Sequence, residues 1–161
     1  MAKTDTDIIN DVLENEGSAP VNDPLDAGGR SQFGISEKSN PEAWVDNRVT
    51  EEEAREIYTR KYIKGPGFDQ ITDFHLRAQL VDFGVHSGPA VAIMKLQTIV
   101  GADIDGVLGP QTLAALQSMH PEAVSNELVK ARIQMICRII KRDPSQLKWL
   151  NGWVDRALEF L

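Results

Sequence analysis

From Pro121 to Lys141 the apolar residues Val124, Leu128, Ile133, Ile136 and Ile140 recur at the spacing of one helix face. A strand would need strict alternation instead, so a run this long with this period can only be a helix. The same period returns along most of the chain. It is carried by Ile8, Ile9, Val12 and Leu13, then by Ala54, Ile57 and Tyr58, then by Leu76, Leu80, Val81 and Phe83. Val91, Met94 and Leu96 continue it, and Leu147, Leu150, Trp153, Val154 and Leu158 close it. Local signals set the bounds. Thr4 with Asp7 and Thr50 with Glu53 read as capping boxes, in which hydroxyl and carboxylate satisfy the first free amides. Pro41 and Pro110 stand where proline opens a helix. Gly17 with Pro20, Gly65-Pro66-Gly67, Ser87-Gly88-Pro89 and Asp143-Pro144 interrupt the runs.

The strand signal is confined to Ser31–Ser36, with Ser31, Phe33 and Ile35 on one face and Gly34 marking a close backbone approach. The expected fold is mainly α (α+β), several packed helices with a short β segment. At 161 residues, with no linker-like stretch, the chain is expected to form a single domain over 1–161. Residues 1–72 would be the catalytic part and residues 73–161 a helical part.

Charge excludes some functions. Residues 1–74 hold 16 acidic and 8 basic side chains and residues 75–161 hold 8 and 9, for a net charge of −7. So acidic a chain is not expected to bind nucleic acid, whose phosphates call for a basic surface. Cys137 is the one cysteine, so no disulfide framework is expected. His75, His86 and His120 lack ligand spacing, and Glu51-Glu52-Glu53 suits the first turn of a helix, so no metal and no cofactor are expected. The N-terminal MAKTDTDIIND has neither a basic nor an apolar region of a secretory signal, and no apolar run could span a bilayer.

Chemistry concentrates in Glu14–Ser36, ENEGSAPVNDPLDAGGRSQFGIS. Glu16 falls where the first helix runs out. The carbonyl end of a helix disfavours added negative charge, which suits a carboxyl group that must hold and then give up a proton. Asp23 reads as a turn aspartate bonding its own backbone, and Asp26 could do the same. A helix end, a glycine-rich loop and a strand can make two walls of a cleft. Cleaving a glycosidic bond takes an acidic carboxyl and, in most enzymes, a second carboxylate.

Two stretches resemble one known family. Glu16–Ser36 is similar to the signature E-G-G-Y-x-N-D-P-x-D-x-G-G-x-T-x-x-G-I of glycoside hydrolase family 108. Asp82–Leu116, DFGVHSGPAVAIMKLQTIVGADIDGVLGPQTLAAL, resembles the predicted peptidoglycan-binding region that follows in that family, and Gly152-Trp153-Val154-Asp155-Arg156 resembles its closing motif. Three departures stand out: Ser18-Ala19 in place of Gly-Tyr, an extra residue near Pro20, and Ser31 in place of threonine. The resemblance implies a lysozyme-like N-acetylmuramidase of the phage endolysin type. Such an enzyme cuts the β-1,4 bond between N-acetylmuramic acid and N-acetylglucosamine. It maps the catalytic acid onto Glu16, the second acid onto Asp26 and the hydroxyl onto Ser31. Asp26 would stabilise charge, orient water or act as nucleophile. The implied partner is bacterial peptidoglycan. The protein would be a monomer, held in the host cytoplasm until a phage holin opens the membrane, with no stable membrane insertion. A non-catalytic peptidoglycan-binding protein, a lytic transglycosylase and a helical interaction protein are the alternatives.

Overall fold

The computed structural model describes residues 3–22 and 29–161. The chain forms two compact units, Met1–Gly65 and Pro66–Leu161. It is mainly α with one small antiparallel sheet, the expected lysozyme-like class. Among the described residues no helix is long and apolar enough to cross a membrane. Nor do they contain a cluster of three or more His, Cys, Asp or Glu able to hold a metal ion.

In the first unit, α1 runs Asp5–Glu16 and buries Ile8, Ile9, Val12 and Leu13. Its capping box is formed by Thr4 and Asp7, and Thr4 holds the Asp7 carboxyl below the usual range. Gly17 ends it at φ +75, a conformation in which a Cβ would strain the backbone. A 3-10 turn, Pro41–Trp44, is opened by its proline. The second capping box, Thr50 with Glu53, starts α2 (Glu51–Tyr58). That helix does not stop; it continues as a π-helical segment, Thr59–Lys64.

The segment expected as one strand is a tight hairpin. Its strands are β1 (Ser31–Gln32) and β2 (Ile35–Ser36), paired Ser31 to Ser36 and Gln32 to Ile35. Phe33 and Gly34 both take positive φ, +52 and +73, which reverses the chain over two residues. The alternation over Ser31–Ser36 is readable as a strand; the reversal depends on those two backbone angles.

The second unit holds α3 (Phe74–Ser87), α4 (Pro89–Val100), α5 (Pro110–Gln117), α6 (Pro121–Arg142) and α7 (Leu150–Leu158). Leu76, Leu80, Phe83, Ala92, Leu96, Val124, Leu128 and Ile136 are among its buried apolar residues with almost no exposure. Gln97 Nε2 donates to Asp105 Oδ1, Val107 O and Thr112 Oγ1, and Gln97 Oε1 accepts from Asp105 N and Gly106 N. One buried amide thus satisfies the backbone of the Asp105-Gly106 loop, which could not otherwise lie against the core. Two expectations are corrected here. The final segment begins as a 3-10 helix, Pro144–Trp149, and leaves Leu147 59% and Leu158 43% exposed, with Ala157 inward. On α6, Ile133 and Ile140 are only half-buried, and Arg132 is buried midway between Leu128 and Ile136.

Candidate active site

Glu16 is the last residue of α1 and is half-buried. The hairpin tip meets it. A Cβ built on Gly34 would lie 2.5 Å from Tyr58 Oη, 2.8 Å from Glu16 Oε2 and 3.0 Å from Glu16 Cγ. The carboxylate and the phenol therefore crowd the same point above the Gly34 backbone, and only a residue without a side chain fits there. Tyr58, 2% exposed, donates through Oη to Phe33 O at 2.8 Å, which ties α2 to the turn.

A second tyrosine completes this side. Tyr62 lies on the π-helical segment, with its ring centroid 5.5 Å from that of Tyr58. Burial first, and then the Glu16 carboxylate, push the Tyr62 phenol above its ordinary value. At neutral pH it is a hydrogen-bond donor in the electrostatic range of Glu16. Short π-helical turns inside α-helices are frequent at functional sites. Sequence reasoning placed Tyr58 in the core and passed over Tyr62. The four-residue spacing of the two tyrosines, which sets them on one helix face, was the available signal.

The hairpin is braced from its far side. Arg30 grips Glu37 through two hydrogen bonds, Nε to Oε2 at 2.8 Å and Nη2 to Oε1 at 2.7 Å. This contact draws the Glu37 carboxyl down in pKa. Arg30 also lies 5.0 Å from the centroid of the Trp44 ring. Trp44 Nε1 donates to Ile35 O, and Val49 N donates to Gln32 Oε1. Ser31 stands at the hairpin base, half-buried, and exchanges both backbone hydrogen bonds with Val21. Glu16 thus meets the hairpin at its tip, while Ser31 starts β1 at the other end. Asp26, like Asp23, lies outside the described residues.

Two sequence profiles match this chain: Glycosyl hydrolase 108 over residues 9–88, and Predicted Peptidoglycan domain over residues 91–158. Among solved structures, that of Brucella abortus SagA is similar, with a TM-score of 0.80 and 30% identity over 96% of this chain and 90% of that one. No curated protein sequence matches. The fold and these matches define a glycoside hydrolase that acts on peptidoglycan. The chain belongs to glycosyl hydrolase family 108.

Proposed function

We propose that the protein is an N-acetylmuramidase with Glu16 as its acid. The observation that carries this reading is the packing of Glu16, at the end of α1, against the hairpin tip at Gly34. A proton donor must be held still against its target, and here one face of the carboxyl is fixed by backbone. Glu16 gives its proton to the glycosidic oxygen between N-acetylmuramic acid and N-acetylglucosamine. Positive charge then develops on the sugar ring. Asp26 stabilises that charge, orients water or acts as nucleophile, and Ser31 positions the water or holds Asp26.

The substitution Glu16→Gln keeps size and hydrogen bonding but removes the acid. It should abolish clearing of isolated peptidoglycan while leaving circular dichroism unchanged. Equal clearing by wild type and variant would move the acid elsewhere. Fragments from the wild type should carry hydrated muramic acid ends; anhydro-muramyl ends would establish a lytic transglycosylase instead. The anomer of the new reducing end separates the remaining roles of Asp26. Retention goes with carboxyl groups roughly 5–5.5 Å apart and inversion with roughly 6.5–9.5 Å.

The same reading makes the protein a monomeric endolysin that waits in the host cytoplasm for a holin. It also makes residues 1–161 one functional domain. The glycosyl hydrolase match supports this, because it runs from residue 9 to residue 88 and so takes in α3 as well as the first unit.

A further inference from the structure

The second unit contains a cavity of about 270 Å³ lined from α3, α4, α6 and α7. Its wall is uneven in chemistry. Val91, Met135, Ile136 and Ile139 make an apolar side, and Trp153 adds a half-buried aromatic ring. His86 and Ser87 supply the polar groups, the His86 ring centroid lying 5.5 Å from that of Trp153.

The polarity of His86 is fixed. Arg132 Nη2 lies 3.0 Å from His86 Nδ1. A guanidinium can only donate, so Nδ1 accepts and the neutral ring carries its proton on Nε2. Burial and the positive charges of Arg132 and Arg156 pull the His86 pKa down to about 4, against the opposing pull of Asp82. The ring is therefore neutral at neutral pH. Arg132 is itself anchored, donating through Nη1 to Asp82 Oδ2 at 2.6 Å, while Arg156 Nε donates to Asp82 Oδ1 at 2.8 Å. This network locks the tautomer. No hydrogen bond from Nε2 to a described residue competes for that proton.

Two neutral polar side chains, His86 and Ser87, an aromatic face and an apolar wall, with no formal charge on the lining, match one kind of ligand. The carbonyl of an acetamido group accepts from a fixed N–H, its methyl needs an apolar wall, and the C–H face of a sugar ring packs on an aromatic. The volume lies just below the usual range for ligand pockets, about 300–1,000 Å³, which limits the occupant to one ring and its substituent. The peptidoglycan-domain match over residues 91–158 includes Val91, Met135, Ile136, Ile139 and Trp153. We propose that this cavity is a subsite for one N-acetylated hexosamine of the glycan strand, held by His86 Nε2–H and the Trp153 ring. The proposal rests on the reading of this chain as a peptidoglycan hydrolase.

The test uses the full chain carrying Glu16→Gln, labelled with nitrogen-15, so that hydrolysis cannot interfere. It is titrated with N,N′,N″-triacetylchitotriose and with cellotriose, which has the same linkage and no acetamido group. The acetylated trimer should shift the amides of His86, Val91, Met135 and Ile139 and the indole of Trp153; cellotriose at equal concentration should not. Trp153→Ala should weaken these shifts about tenfold in Kd or more, as loss of a buried aromatic anchor does. Val91→Trp fills the cavity and should do the same, which decides the matter if the first variant fails to fold. Shifts confined to residues around Glu16, an equal response to cellotriose, or an unaltered Kd in a folded variant overturns the proposal. So does displacement of the sugar by D-alanyl-D-alanine, which would assign the cavity to the peptide stem. Sugar binding here by a protein whose wild type cuts no peptidoglycan would keep the subsite and sink the muramidase reading alone.

Discussion

Replacing Gly34 with alanine perturbs the hairpin tip in two separable ways. The first is intrinsic. Gly34 sits at φ +73, where an alanine costs roughly 1–2 kcal/mol. The second is contact. The new methyl would stand 2.5 Å from Tyr58 Oη, so the phenol must move and its bond to Phe33 O is lost. A buried hydrogen bond broken with one partner left behind costs about 1–3 kcal/mol. Together these predict a loss of roughly 2–5 kcal/mol, or roughly 5–15 °C in Tm for a chain of this size. Glu16 must also retreat, because its Oε2 and Cγ would lie 2.8 and 3.0 Å from the methyl. A misplacement near 1 Å can cost about 100-fold in rate, so clearing of peptidoglycan per folded molecule should fall roughly 10- to 100-fold. Gly101→Ala is the matched control. It has φ +72 and nothing within 4 Å of a new Cβ. It should lose only the backbone term, about 1–2 kcal/mol, and keep wild-type activity. Thermal melts and turbidity assays at 25 °C on both variants give the comparison. If Gly34→Ala lost no more stability than Gly101→Ala and cleared at the wild-type rate, the hairpin tip would not be what positions Glu16.

Three further outcomes follow from the second unit and the chain's division. Asp82→Asn leaves the buried Arg132 and its neighbour Arg156 without their shared carboxylate, and should cost about 3–5 kcal/mol, read as a Tm drop of roughly 10 °C or more. An unchanged Tm would show that this network is not structural. His86 is held near a pKa of about 4 in the folded chain by burial and by Arg132 and Arg156, with Asp82 opposing. The unfolded state then binds the extra proton, so the stability contributed is complete above about pH 6.5 and is lost as pH falls toward 4. Discounted for the ring's partial exposure, the change is about 2 kcal/mol, and His86→Phe should flatten denaturant midpoints between pH 6.5 and 4.5; parallel curves for both proteins would refute it. A fragment ending at residue 72 cuts inside the glycosyl hydrolase match and should neither fold nor clear peptidoglycan. A folded, active fragment would overturn the single-domain reading.

Much of the fold was legible because helix ends are local. Thr4 with Asp7 and Thr50 with Glu53 bond across three residues, and Gly17 and Gly101 end helices through their own backbone angles. Those interactions are complete within a few residues, so sequence alone determined where α1 stops and put Glu16 at its end. It also determined the mainly α class, since a 3.6-residue period leaves few alternatives. Tertiary structure decided the rest. Phe33 and Gly34 could continue a strand or reverse it, and the choice was fixed by Tyr58, 25 residues away, bonding Phe33 O. Tyr62 comes within electrostatic range of Glu16 on the π-helical continuation of α2, and that proximity exists only in the folded chain. Arg132 breaks an apolar stripe in sequence yet is buried, because Asp82, 50 residues earlier, neutralises it. Periodicity tells which face turns inward; it cannot tell which distant partner makes a charge or a tyrosine tolerable there, because that energy exists only once the chain has closed.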